Sequence, residues 1–95
     1  MDKALDLSTL TLEQQEYVGD LLHLANPKSQ GKERFLESLE HESSATWFGD
    51  ILRKILKTCP DLMNYHQLTD LLRDVRIRVF QATNGKIDLE DGGSH

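Results

Sequence analysis

The sequence predicts an all-α chain folded as one compact bundle of four to five helices. Three observations carry that prediction. Apolar residues recur at three- and four-residue intervals in several blocks, the period of a helix with one buried face. Capping-type residues and turn clusters separate those blocks. At 95 residues, 38% hydrophobic and 28% charged, the chain is long enough for one modest core and too apolar to be disordered.

Leu5, Leu7, Leu10 and Leu12 fall in a Ser/Thr-broken stretch, so residues 1–10 are expected to form a short N-terminal arm packed on the bundle. Thr11-Leu12-Glu13-Gln14 has the form of a capping box, which opens a helix running to Leu24. Tyr17, Val18, Leu21, Leu22 and Leu24 are its buried side, and Gly19 is expected to mark a close helix contact. Residues 25–31 compose a turn around Asn26-Pro27. A short second helix follows from Gly31 or Lys32 to about Glu42, with Phe35, Leu36 and Leu39 inward.

Ser43 and Ser44 suit the cap of a third helix that ends near Thr58. Its stripe of Trp47, Phe48, Ile51, Leu52, Ile55 and Leu56 is wide, as expected of a central helix, with Trp47 read as core. Pro60 breaks the pattern and Asp61-Leu62-Met63 reads as a single turn. Asn64-Tyr65-His66-Gln67 repeats the capping-box form and is expected to open the fourth helix. Val75 to Val79 alternates like a strand, but the stripe Leu68, Leu71, Leu72, Val75, Val79 favours a helix, with Asn84-Gly85 as its stop. The helical domain therefore spans residues 11–86, followed by an acidic tail at 87–91. Residues 92–95, Gly-Gly-Ser-His, look like a linker and the start of a purification tag, so an excised piece of a larger protein is expected.

Chemistry is hard to find in this chain. His23, His41, His66 and His95 lack ligand spacing, Cys59 has no nearby partner, and the internal glycines are isolated, so no metal, cofactor or phosphate loop is expected. The carboxylates lie on helix faces rather than in pairs suited to hydrolysis. Cys59 reads as a small apolar residue closing the third helix. No catalytic residue and no small-molecule substrate are therefore assigned. No apolar run reaches the roughly 20 residues of a membrane span, and a lone cysteine points to a reducing, cytoplasmic setting.

Charge is unevenly distributed. Residues 1–42 carry nine acids and four bases, residues 43–86 four acids and seven bases, and the remainder three acids, giving net −5. If the two halves present different surfaces, an acidic first helix on one copy is expected to meet a basic third or fourth helix on another, in a head-to-tail contact that can propagate into rings or filaments. The alternative is that the halves neutralise each other within one molecule. The interface residues expected on this argument are Arg53, Lys54, Lys57, Arg73 and Arg76 against Glu13, Glu16 and Asp20. Arg73, Arg76 and Arg78 would serve a nucleic-acid reading, which the net negative charge disfavours. A groove that accepts the helix of an unlike protein is a further alternative.

Ser43-Ser44-Ala45-Thr46-Trp47-Phe48-Gly49-Asp50-Ile51-Leu52, followed by Leu68-Thr69-Asp70-Leu71-Leu72, resembles the effector-associated domains of bacterial conflict and signalling systems. Leu10-Thr11-Leu12-Glu13-Gln14 resembles the way such domains begin, while Gly31–Glu42 and Cys59–His66 lie outside the shared pattern. The resemblance implies a death-fold-like bundle and a non-catalytic adaptor in defence or cell-death signalling. Such an adaptor pairs with a like domain and brings an effector to a sensor or scaffold.

Overall fold

The computed structural model describes residues 6–89, so the expected linker and tag at 92–95, together with His95 and Leu5, lie outside the described residues. Within them the chain is helical: α1 (Leu12–Ala25), α2 (Lys32–Ser38), α3 (Glu42–Thr58), a 3₁₀ turn over Pro60–Asn64, and α4 (Thr69–Ala82). The described residues contain no strand, and Val75–Val79 belongs to α4.

α1 starts where its capping chemistry requires. The Thr11 hydroxyl accepts from the Gln14 N–H at 3.1 Å, and the Gln14 amide oxygen accepts from the Thr11 N–H at 3.1 Å. The Gln15 amide then donates to the carbonyls of Leu7 and Leu10, at 3.1 and 3.0 Å, which ties residues 7–10 down onto the bundle. Leu10 is buried there.

α2 is shorter than its apolar pattern predicts. Leu39 and Glu40 donate to Leu36 and Glu37, three residues back, so the chain tightens and stops being α-helical after Ser38. His41 is extended and precedes α3, which places Ser43 and Ser44 inside the first turn rather than at the cap. α3 ends at Thr58 because Cys59, the residue before Pro60, is pushed out of the α region.

The fourth helix also starts later than predicted. The Tyr65 carbonyl accepts from the Leu68 N–H and from the Thr69 hydroxyl, both at 2.8 Å, so residues 65–68 form a turn and Asn64 caps nothing. At the other end the predicted stop is present. Asn84 and Gly85 both take positive φ, 54° and 81°, and the Gly85 N–H donates to the Phe80 carbonyl at 2.8 Å, the bond of a Schellman-type cap.

α4 is the centre of the bundle, correcting the expectation for α3. It packs against α1, α2, α3 and the 3₁₀ turn, and Leu71, Leu72, Val75 and Val79 are wholly enclosed. The close approach lies at Gly49, not Gly19. A Cβ at 49 would stand 2.8 Å from Val79 Cγ1 and 3.1 Å from Ile87 Cγ2, whereas one at 19 would meet nothing within 4 Å. Ile87 and Leu89, expected in an acidic tail, are buried in the core. Thr83 holds them: its hydroxyl donates to the Val79 carbonyl at 2.7 Å and accepts from the Ile87 N–H at 3.2 Å. No helix among the described residues is long and apolar enough to cross a membrane.

Candidate interaction surface

The helical period places the predicted charges on outward faces. Glu13, Glu16 and Asp20 are exposed along α1, on the side opposite Val18 and Leu21. Arg53, Lys54 and Lys57 are exposed on α3, and Arg73 on α4. Arg76 is half-buried and already has a partner within the chain. Lys54 meets Asp50 one turn back at 3.4 Å, a solvent-exposed pair of the kind that contributes about 0.3–0.5 kcal/mol. Arg78, half-exposed, reaches Glu40 at 3.7 Å.

Internal neutralisation does not account for the rest. Among the described residues Glu13, Glu16, Asp20, Arg53, Lys57 and Arg73 form no ion pair. The structure therefore presents an acidic α1 face and basic positions on α3 and α4 whose charges are turned to solvent.

Trp47 corrects the sequence reading. It is 59% exposed and meets Tyr17 edge to face, with ring centroids 6.0 Å apart. Trp47 and Ile51 mark one edge of the α3 stripe and Ala45 and Gly49 the other; the edge of small residues is buried together with Leu52 and Ile55, and the Trp47 edge is left toward solvent. The small size of Ala45 and Gly49 was the available signal, since close packing favours residues that let backbones approach. Beside Trp47 a shallow groove of about 400 Å³ runs between α2 and α3, lined by Phe35, Ser38, Leu39, Ser43, Ser44 and Phe48. Phe35 and Phe48 stack edge to face at its floor, 5.1 Å apart. Three exposed apolar residues also escaped the sequence reading as surface features: Leu12 on α1, and Ile77 and Phe80 on α4.

Cys59 is buried, with its thiol 3.8 Å from the Asp6 carbonyl, and burial pushes its pKa above the ordinary 9.0, with smaller contributions from Asp61 and Asp6. A nucleophile needs the opposite shift. Asp6 is held below the usual carboxylate range by the Ser8 hydroxyl and N–H, which both donate to it. His23, His41 and His66 are exposed, and among the described residues no three His, Cys, Asp or Glu side chains come together to hold a metal ion.

No family model matches the chain, and no curated protein or solved structure matches it.

Proposed function

We propose that this chain is a non-catalytic protein–protein interaction adaptor that pairs with a like domain. The observation that carries the reading is the set of outward, unpaired charges of opposite sign, acidic on α1 and basic on α3 and α4. Such surfaces attract one another between molecules and disfavour like-charged partners. The resemblance of residues 43–52 and 68–72 to effector-associated domains supports the same reading and extends it to recruitment of an effector in defence or cell-death signalling. The buried single thiol of Cys59 suits a reducing, cytoplasmic setting.

Light scattering coupled to gel filtration tests the reading, over a concentration series at low and high salt. Concentration-driven oligomers that weaken with salt are expected, because exposed charges are screened within about 8–10 Å at physiological ionic strength. A strict monomer at all concentrations would overturn homotypic pairing.

The groove beside Trp47 favours a second reading, docking of a helix from an unlike protein. Its volume of about 400 Å³ and its aromatic floor suit a single apolar anchor. A monomer whose Trp47 fluorescence shifts on adding a partner would move the weight there.

A further inference from the structure

Charge by itself makes a weak contact. Exposed ion pairs contribute little, and lasting interfaces have an apolar centre within a polar rim. Among the described residues four large apolar side chains are exposed: Leu12 at 81%, Trp47 at 59%, Phe80 at 43% and Ile77 at 41%. Trp47 is engaged by Tyr17. The other three fall within the two charged faces. Leu12 opens α1 directly before Glu13 and one turn before Glu16, and Ile77 and Phe80 follow Arg73 on the outward strip of α4.

The intervals on the two helices match in reverse order. When α1 is laid antiparallel on α4, Leu12 opposite Ile77 brings Glu16 opposite Arg73, each one turn along its own helix, because both helices rise by about 1.5 Å per residue; Glu13 and Arg76 come level but lie on opposite flanks of the contact. Phe80, one turn beyond Ile77, then flanks Leu12 on its far side. Asp20 comes opposite Thr69, in the first turn of α4, where the cap Leu68 supplies no side-chain acceptor for the unpaired N–H groups. Asp70 is the like charge nearest that end, and Arg76 shares itself with its intramolecular partner, so Glu16–Arg73 is the pair that sets the register. The parallel arrangement makes no such pair: with Leu12 kept on Ile77 it faces Glu16 with Gln81 and Arg73 with Ser8, and leaves Glu13 and Arg78 level but on opposite flanks.

Within one chain α1 packs on α4 from its buried side, so these outward strips can meet only between molecules. We infer that α1 of one copy docks antiparallel across α4 of a second copy, with Leu12 seated between Ile77 and Phe80 and Glu16 paired with Arg73. This inference rests on the homotypic reading above and names its contact.

Two experiments on the full chain test it. Glu16→Arg and Arg73→Glu should each weaken self-association at least tenfold with helicity unchanged by circular dichroism, and an equimolar mixture of the two variants should recover it. A mixture of Leu12→Cys with Ile77→Cys should form a disulfide-linked pair under mild oxidation at least ten times faster than Leu12→Cys mixed with Glu33→Cys, the wild type controlling for buried Cys59. If the wild type associates but the charge swap gives no recovery and the 12–77 link forms no faster than the control, this docking is wrong and homotypic pairing stands. If the wild type does not associate at all, the homotypic reading falls and this contact with it.

Discussion

Tyr17 of α1 and Trp47 of α3 meet edge to face, ring centroids 6.0 Å apart and planes at 71°, on the outside of the bundle. The indole thus braces two helices at the surface instead of filling the core. An aromatic pair of this kind contributes about 0.5–1.5 kcal/mol beyond its area.

Replacing Trp47 with Ala is therefore expected to cost about 1 kcal/mol by urea denaturation, well below the roughly 3–5 kcal/mol of a buried Trp truncation. As the chain's one tryptophan, it should also be readily quenched by acrylamide in the native state. A loss above about 3 kcal/mol, or a shielded indole, would place it in the core.

The two helical glycines of α1 and α3 should respond with opposite signs. Gly19→Ala adds a methyl to open space and is expected to stabilise by about 1 kcal/mol through helix propensity. Gly49→Ala drives its methyl against Val79 and Ile87, both buried. The overpacking cost of about 1–3 kcal/mol should outweigh the propensity gain and lower the urea midpoint. Equal effects at the two sites would contradict the packing.

Thr83 is 2% exposed and its hydroxyl links Val79 to Ile87. Thr83→Val keeps the shape but leaves the buried Ile87 N–H without its acceptor, an expected cost of about 1–3 kcal/mol. Hydrogen exchange should show that amide losing protection first.

Cys59 is expected to resist iodoacetamide at neutral pH until the chain unfolds, because burial favours the neutral thiol. Its folded pKa lies above the ordinary 9.0, so the folded state holds the proton more tightly than the unfolded one. Its stabilising contribution is present below pH 9.0 and is lost as pH rises from there through the folded pKa. Alkaline unfolding should accordingly be shallower in Cys59→Ala. Rapid labelling of the native chain would show an accessible thiolate instead.

Local chemistry was legible in the residues themselves. The reciprocal bonds of Thr11 and Gln14, the break at Pro60 and the left-handed stop at Asn84-Gly85 depend on neighbours within a few positions, so the sequence determined them. So did the helical state of Val75–Val79, whose stripe continues from Leu68. The outward placement of Glu13, Glu16, Asp20, Arg53, Lys57 and Arg73 followed from the same period.

What only the tertiary structure decided is which edge of each stripe goes inward and what meets it. An apolar period defines a face more than 100° wide, which leaves the helix free to roll until its neighbours stop it. On α3 the approach of Val79 and Ile87 to Gly49 sets that roll, turning Ala45 and Gly49 in and Trp47 out. On α4, packing from four elements encloses Leu71, Leu72, Val75 and Val79 and leaves Ile77 and Phe80 on the surface beside Arg73. Those contacts join residues far apart in the chain, and no local pattern encodes their distances.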